Sequence, residues 1–369
     1  MVLDAQALEA YYRGYIQMKI YFYVAYPYYF PHFLPIGKVF ETNGDEVIYI
    51  LSTKQNSQNM QFIAKENSLK YFFGEEILFD KQADVIFFAN PYEKAKELKA
   101  ITIFLEHGIG AKSTSFFSSI EYFDIYIAEG IQKYNRVKNL YPQHKEKLAL
   151  VGFSKFDEIV NFSEQKKNKL FNKYGLDKNR KTILYAPTFF PSSIEKMADD
   201  FPSEFKDYNI WVKPHYLTYE RKKYRNHLKK FKIWEQYPNC TILPLNEYNL
   251  VPFLATSDVM ISDESSAMFE FASLNKPVIS NQYFKLRWSY YLMPWKLTKR
   301  IDQSKKKYRA ILDIAKSYKE TIGYTKEALN NPSKLESKRL EFAKDICGEI
   351  DGKVSERIYK TIKERQNEL

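Results

Sequence analysis

The richest chemistry in the sequence lies in the block from residue 258 to residue 279. There an apolar run ends in Asp263, Ser265 and Ser266, and a segment with helical periodicity begins whose first turn carries Glu270. A strand that leads into a helix N-terminus exposes backbone N–H groups at the positive end of the helix dipole, and serine hydroxyls add donors. The block therefore predicts an anion site suited to phosphate. A simpler interpretation, in which Asp263 or Ser265 only caps the helix, is compatible with it because a capped helix keeps spare donors.

A second motif places a histidine beside glycines at the end of a predicted strand. His107-Gly108 follows the apolar run at 101–105, and Lys112 comes shortly after it. Histidine titrates near neutral pH, and glycine lets a substrate approach the backbone, so we predict that His107 acts as a general base. Gly108 and Lys112 are assigned to the phosphate of the substrate. The alternative is a histidine that is merely satisfied by a loop carbonyl.

Two further motifs follow apolar runs in the second half of the chain. Lys213-Pro214-His215 closes the run at 210–212, where proline ends the ladder and fixes the turn. Lys213 and His215 can both donate to phosphate oxygens, and Thr188 offers a single hydroxyl after the run at 183–186. The alternative is an ordinary strand exit with exposed polar residues.

These motifs need elements that bring their strand ends together. Strand-like runs recur in the N-terminal half at 19–25, 46–51, 84–89, 101–105, 125–128 and 148–151, and again at 182–186, 210–213, 241–243, 259–262 and 277–280. They alternate with polar helical segments, as at 33–42, which predicts parallel sheets covered by helices. The fold class is therefore α/β, with two doubly wound, Rossmann-like domains facing a central cleft and ligands at the carboxyl ends of the strands.

Chain length sets the domain count, because 369 residues exceed one ordinary core. We predict an N-terminal domain at 1–165 that supplies the base and a nucleotide-donor domain at 166–330. The segment 161–180 is rich in Lys and Asn and is predicted to connect the two domains. Helices in 331–369 are expected to cross back to the first domain.

The amino-acid composition limits the classes of binding partner to be expected. Lys and Arg number 56 against 45 acidic residues, a formal net charge of +11, which favours an anionic partner. No zinc-finger spacing or RNA-recognition motif is present, so nucleic acid is not expected. No long apolar run and no leader appear, and only Cys240 and Cys347 are available, so we expect a cytoplasmic protein without a disulfide framework.

Other histidines are predicted to carry less chemistry. His32 sits in an aromatic segment where it either packs or helps to bind an acceptor, while His144 and His227 lie among lysines and are expected to be solvated. No histidine pair has metal-ligand spacing, and no acidic cluster suits a divalent ion on a nucleotide sugar. A reaction without a metal or other cofactor is the expectation.

Taken together, the motifs resemble those of the CDP-glycerol glycerophosphotransferase family, the cytoplasmic enzymes that build teichoic-acid-like and capsular polyol-phosphate polymers. The matching segments, in order, are His107 to Lys112, Tyr185 to Thr188, Lys213 to His215, and Ser257 to Ser266 continuing through Phe269-Glu270-Phe271 to Lys276-Pro277. The sequence departs from the family pattern at Glu264, at Glu270, and after Thr188, where Phe189-Phe190 stand in place of an aromatic and a basic residue.

The resemblance implies a GT-B fold, a CDP-linked donor held by the second domain and a base supplied by the first. His107 would deprotonate an acceptor hydroxyl, which attacks the donor β-phosphorus and displaces CMP. Lys213, His215, Ser265 and Ser266 would stabilise the charge that develops on the pyrophosphate, and Glu270 would face the ribose.

The resemblance thus implies transfer of glycerol phosphate, or a related polyol phosphate, to a cell-surface glycan or lipid-linked acceptor. Three alternatives stay open: an inverting GT-B glycosyltransferase that uses a nucleotide sugar in capsule or lipopolysaccharide synthesis, a nucleotide-sugar epimerase, and a non-catalytic binding module. The basic, aromatic segment from Lys285 to Trp295 predicts peripheral contact with an anionic membrane at its inner face.

Overall fold

The computed structural model describes residues 17–54, 57–80, 82–109, 114–263, 265–285 and 308–366. Its strands are β1 (Lys19–Val24), β2 (Glu46–Leu51), β3 (Tyr71–Phe73), β4 (Val85–Phe88), β5 (Ile101–Leu105), β6 (Ile125–Ala128), β7 (Leu148–Leu150), β8 (Thr182–Ala186), β9 (Asn209–Val212), β10 (Cys240–Ile242), β11 (Val259–Ser262), β12 (Val278–Asn281) and β13 (Asp313–Ala315).

The α-helices are α1 (Phe30–Thr42), α2 (Ser57–Glu66), α3 (Thr114–Ser118), α4 (Ile131–Leu140), α5 (Lys155–Val160), α6 (Glu164–Tyr174), α7 (Tyr216–Glu220), α8 (Arg225–Trp234), α9 (Val251–Thr256), α10 (Ser266–Ser273), α11 (Tyr318–Asn330), α12 (Glu336–Cys347) and α13 (Val354–Gln366). Short 3-10 helices lie at Pro27–Tyr29, Glu75–Phe79, Glu93–Glu97, Ser119–Glu121, Pro142–Lys147, Ile194–Lys196, Phe201–Phe205 and Lys222–Tyr224.

The strands form two sheets, one of seven strands and one of six. Their orders are β3-β2-β1-β4-β5-β6-β7 and β10-β9-β8-β11-β12-β13, and every pairing is parallel. In each sheet the order reverses beside the first strand of the series, at β1/β4 and at β8/β11. Ligands of doubly wound sheets bind at such switch points, beyond the carboxyl ends of the strands. The predicted architecture of two doubly wound sheets is confirmed.

Apolar runs located the central strands well. β2, β5, β6, β8 and β11 have the bounds that the sequence predicted, because all of their residues after the first are buried and their apolar runs are nearly continuous. The edge strands β3 and β13 were missed, since each has three residues. The predicted connection at 161–180 contains helix α6, whose Phe171 is buried.

The last helix, α13, belongs to the core of the first sheet. Its Val354, Ile358 and Ile362 pack in one cluster with Phe22 and Phe40. Before it, α12 contacts both α4 and α10. The chain therefore returns to the first sheet after completing the second. The domain limits of 1–165, 166–330 and 331–369 stay a prediction.

Two histidines lie in surroundings that the sequence did not indicate. His227 is buried, stacks on Tyr224 and lies 3.4 Å from the Glu195 carboxylate, so the expectation that it is solvated is wrong. Its position on the inner face of the amphipathic helix α8 explains the burial. His32 is a buried residue of α1 and packs edge-on against Phe153. Within the described ranges, the structure has no helix long and apolar enough to cross a membrane.

Candidate active site

A cleft of about 540 Å³ opens between the two sheets and collects most of the sequence motifs. Its lining includes His107 from the first sheet and Thr188, Lys213, His215, Ser265, Ser266 and Glu270 from the second. Except for Glu270, these residues share a position beyond the carboxyl end of a strand or at the start of the following helix. Glu270 is the fifth residue of α10 and lies beyond the first turn in which the sequence predicted it. The fold thus gathers into one site groups that lie far apart in the sequence.

His107 is oriented by a backbone carbonyl. Its Nδ1 lies 2.7 Å from the carbonyl oxygen of Ala89, which follows the neighbouring strand β4. A carbonyl only accepts, so Nδ1 carries the proton and the basic lone pair of the neutral ring lies on Nε2. The rings of Tyr28 and Tyr29 contact the imidazole at centroid distances of 5.3 Å and 5.1 Å. The carbonyl contact is therefore compatible with the predicted role of a base, because it leaves the lone pair on Nε2.

A buried ionic cluster anchors the loop that carries His107. Glu106 pairs with Lys133 of α4, and the same ammonium lies 2.7 Å from Glu129. All three side chains are buried. Burial raises the pKa of the Glu129 carboxyl to about 6, although Lys133 opposes the shift. The arrangement ties the end of β5 to α4 directly behind the histidine.

His215 is held as a neutral hydrogen-bond donor. Its Nδ1 accepts from the backbone N–H of Leu217 at 3.2 Å and so caps α7, which leaves the proton on Nε2. Burial, followed by the charges of Lys213 and Arg221, lowers the pKa of His215 to about 4. Burial also lowers the pKa of Lys213 to about 8, against the opposing field of Glu247. Both groups are therefore sensitive to an incoming anion.

Asp263 organises a loop and does not offer its carboxylate to the cleft. It accepts from the backbone N–H of Thr188 at 2.9 Å and of Ser193 at 3.0 Å, and from the hydroxyls of Ser192 and Ser193 at 2.8 Å and 2.5 Å. The side chain is fully buried, and burial raises its pKa to about 6. The register that pairs Ala186 with Ser262 brings these loops side by side. Both oxygens are engaged within the protein, so the structure places Asp263 behind Thr188.

The start of α10 retains donors for an anion. Ser265 occupies the N-cap position with extended backbone angles, and within the described part of the chain no side chain accepts from the first turn of this helix. The Ser265 hydroxyl instead lies 3.2 Å from that of Ser262, and Ser265 and Ser266 both line the cleft. The interpretation of Ser265 as a simple side-chain cap is therefore wrong. The N–H groups of the first turn face the cleft beside two hydroxyls.

Glu270 forms a buried ion pair that the sequence did not suggest. Its Oε2 lies 2.6 Å from Nζ of Lys155, the first residue of α5, and both line the cleft. The two residues are 115 positions apart, and Lys155 follows no strand directly and belongs to no motif. Only the packing of α5 between the two sheets brings them together. Lys155 is the clearest cleft residue that sequence reasoning missed.

Lys276, the lysine of the family's Lys-Pro motif, is held by backbone carbonyls. Its ammonium donates to the carbonyls of Leu254 and Ala255 at 2.8 Å and 2.9 Å, at the last turn of α9. Burial lowers its pKa to about 8. Lysine at a helix C-terminus satisfies carbonyls that lack intrahelical partners. This residue secures α9 against the strand β12 that follows it.

Some predicted residues have no described surroundings. Lys112 and Glu264 lie outside the described residues, as does most of the segment from Lys285 to Trp295. Gly108 is described, and it is buried beside His107. Across the six described ranges, no group of three or more His, Cys, Asp or Glu side chains is clustered as metal ligands would be. Cys240 and Cys347 are both buried.

Comparison with known sequences identifies the family. The sequence profile of CDP-Glycerol:Poly(glycerophosphate) glycerophosphotransferase matches residues 94–364, well over half of the chain. The chain belongs to this family. Its members are transferases, and the match covers both the His107 loop and the whole second sheet.

Named relatives within the family act in teichoic acid synthesis. The teichoic acid glycerol-phosphate primase of Bacillus spizizenii is 32% identical over 130 residues, which cover 33% of this chain and 30% of the relative. The teichoic acid poly(ribitol-phosphate) polymerase of the same organism is 28% identical over 215 residues, covering 53% of this chain and 30% of the relative. The aligned part of the chain thus spans about a third of the length of these relatives.

Among solved structures, the wall teichoic acid polymerase TagF has a similar fold. It superposes with a TM-score of 0.68 at 16% identity, covering 95% of this chain and 90% of that chain. The similarity confirms the GT-B fold expected for the family. At this identity it shows the fold alone, so the reaction has to be argued from the residues of the cleft.

Proposed function

We propose that this protein transfers glycerol phosphate, or a related polyol phosphate, from a CDP-activated donor to a hydroxyl of a cell-surface glycan or lipid-linked acceptor. The observation that carries the proposal is the meeting of His107 with Lys213, His215, Ser265 and Ser266 in one cleft. A base on one wall and phosphate donors on the other are what such a transfer requires. Membership of a transferase family favours transfer over epimerisation or a non-catalytic role.

The reaction begins at the first wall of the cleft, the one that carries His107 from the first sheet. Nε2 of His107 takes the proton of the acceptor hydroxyl while the acceptor oxygen forms a bond to the donor β-phosphorus. The bond from that phosphorus to the bridging oxygen breaks, and CMP leaves with the bridging oxygen and its electron pair. Proton removal by a well-placed base typically contributes about a hundredfold or more to such rates.

The second wall holds the negative charge that shifts onto the leaving group. The Lys213 ammonium supplies a positive charge, and the Nε2–H of neutral His215 donates without changing its charge. The N-terminus of α10 adds backbone N–H groups beside Ser265 and Ser266. Thr188, set by Asp263, brings a further hydroxyl, and Glu270 with Lys155 is assigned to the ribose.

The test is release of CMP from CDP-glycerol and from CDP-ribitol in the presence of lipid-linked glycan acceptors. We expect His107→Ala to lower turnover by about a hundredfold or more while CDP still binds. His144→Ala, outside the cleft, is the matched control and should retain full turnover. Unchanged turnover in His107→Ala would sink the assignment of the base. Release of a nucleoside diphosphate from a nucleotide sugar, without CMP release, would favour the glycosyltransferase instead.

We also propose that the transfer needs no metal, because Lys213, His215 and the α10 N-terminus can carry the charge that a cation would otherwise hold. In the same assay we expect EDTA to leave CMP release unchanged. The proposal would be contradicted if EDTA abolished CMP release, if added magnesium restored that release, and if EDTA had the same effect on His144→Ala.

A third part of the proposal concerns location. We propose peripheral association with the inner face of the cell membrane, supported by the net charge of +11 and by the lipid-linked class of acceptor. The protein should sediment with vesicles that contain about one third phosphatidylglycerol at low salt and be released at high salt. Equal recovery with neutral vesicles, or no recovery with either, would contradict membrane association.

A further inference from the structure

The wall of the cleft around His107 is aromatic. Tyr26 and Tyr28 stack at 5.2 Å with an interplanar angle of 11°, and Tyr28 in turn contacts the His107 ring. Both tyrosines are half-buried, and Tyr28 lines the cleft. Phe62 of α2 lines the same wall with 48% of its surface exposed. Large rings left open beside a catalytic base indicate a surface that packs against a substrate.

A further tyrosine approaches from the second wall. Tyr216 stacks on His215 at 4.7 Å, and its hydroxyl contributes to raising the pKa of Tyr28 above the usual value. Burial is the larger cause of that shift, so the Tyr28 phenol is neutral and its O–H can donate to a ligand. Phenol groups from both walls thus converge near the two histidines.

Charge is divided unequally across the cleft. Lys155, whose helix follows the first sheet, lines the cleft, but its ammonium pairs with Glu270. Apart from Lys155, the described lining residues that precede the second sheet include no lysine, arginine, aspartate or glutamate, whereas Lys213, Glu220 and Glu270 come from the second sheet and its helices. A polyol-phosphate chain would need cations for its phosphates, as phosphate sites in general do. The described part of the wall at His107 offers rings and hydroxyls instead.

We propose that Tyr28, Phe62 and Tyr216, with Tyr26 stacked on Tyr28, form the acceptor subsite and that the acceptor presents a sugar ring there, not a linear polyol phosphate. One face of a pyranose carries C–H groups that pack on aromatic rings, while its hydroxyls reach phenol groups and the His107 base. This inference rests on the proposed transfer for its chemistry. It assigns the acceptor class independently of the donor.

Saturation-transfer difference NMR on the full chain tests the subsite with two kinds of probe. One is a panel of methyl pyranosides, and the other is glycerol 3-phosphate with its phosphodiester-linked trimer. We expect the ring C–H signals of at least one pyranoside to gain intensity. We expect Tyr28→Leu to weaken the binding of that pyranoside about threefold to tenfold. Tyr28→Phe keeps the ring and should retain most of the binding. Tyr134→Leu, on α4 outside the cleft, is the matched control.

Calorimetry with CDP on the same variants separates this inference from the proposed function. If Tyr28→Leu lost CDP binding through misfolding, Tyr26→Leu would serve in its place. Absence of ring saturation for every pyranoside, or saturation only of the glycerol phosphate probes, overturns the sugar-ring subsite even when CDP binds. Pyranoside binding without CDP binding upholds the subsite and contradicts the donor.

Discussion

At the scale of single residues, the two histidines carry their protons on different ring nitrogens and therefore offer different groups to a ligand. His107 has its proton on Nδ1 because of the Ala89 carbonyl, whereas His215 has its proton on Nε2 because Nδ1 accepts from Leu217. The first therefore presents a base to the cleft and the second presents a donor. With its pKa lowered to about 4, His215 stays in the donor form across the physiological range.

Lys213 gives a pH dependence with a definite sign. Its pKa is lowered to about 8 by burial. In the proposed complex the diphosphate of CDP is attracted to the charged ammonium and not to the neutral amine. Affinity is therefore full below this pKa and is lost as pH rises through it. We expect CDP to bind about tenfold more weakly near pH 9 than near pH 7, as measured by calorimetry. Phosphate itself does not titrate in this range, since its second pKa is about 6.

Two substitutions make this assignment specific. Lys213→Arg keeps the charge throughout and should abolish the fall in affinity, while Lys213→Met should bind weakly at both pH values. A fall of the same size in Lys213→Arg would show that another group titrates, and the role of Lys213 would have to be abandoned.

The residues that sequence reasoning found and missed differ in how the fold places them. His107, Lys213 and His215 follow strands of nearly continuous apolar sequence, so their place beyond the carboxyl ends could be predicted. Lys155 could not, because its partner Glu270 comes from an element that only tertiary packing brings near. Asp263 was found as a residue but not in its role, since hydrogen bonding to the loop at 188–193 leaves no signal in local sequence.

At the scale of elements, the short helix α5 joins the two halves of the molecule. Ser154 before it donates to the backbone carbonyl of His32 in α1 at 2.9 Å. Lys155 reaches Glu270 of α10, and Asp157 accepts from the backbone N–H groups of Val354 and Ser355 at 2.9 Å and 2.6 Å. Helix α5 thus contacts both walls of the cleft and caps α13.

The Lys155–Glu270 pair predicts an asymmetric response to substitution. Both side chains are buried, so removing one leaves an unpaired charge that costs about 3–5 kcal/mol. We expect Lys155→Met to lower the free energy of unfolding in urea by this amount. The double variant Lys155→Met with Glu270→Gln should recover much of the loss, because no unpaired charge then remains.

An exposed pair provides the control. Lys326 and Glu204 lie 3.0 Å apart with side chains 49% and 39% exposed, so Lys326→Met should change the free energy of unfolding by less than about 1 kcal/mol. If Lys155→Met cost no more than this control, the buried pair would not be holding the two walls together.

Sequence patterns predicted elements unevenly for a physical reason. Buried parallel strands need apolar residues on both faces, which makes runs such as those of β2 and β8 conspicuous. The edge strands β3 and β13 pair on one side only and have three residues each, none of β3 and only Ala315 of β13 being buried. Their sequences therefore carry little of the pattern that marks a strand.

At the scale of the whole molecule, the GT-B architecture separates two tasks between two walls. In the proposed transfer, the first sheet presents His107 as the base among neutral rings, and the second presents Lys213 and hydrogen-bond donors for the pyrophosphate. Helix α13, returning to the first sheet, and the buried pair between α5 and α10 couple the two halves. A transferase needs this coupling, because the base must meet a donor bound on the other domain.

The proposed reaction requires the wall formed by the second sheet to bind a CDP-linked donor. Calorimetric titration of the protein with CDP, UDP and GDP under the same conditions tests it most directly. We expect a clear preference for CDP that Lys213→Met weakens. Equal or tighter binding of UDP or GDP, or CDP binding that Lys213→Met leaves unchanged, would contradict it.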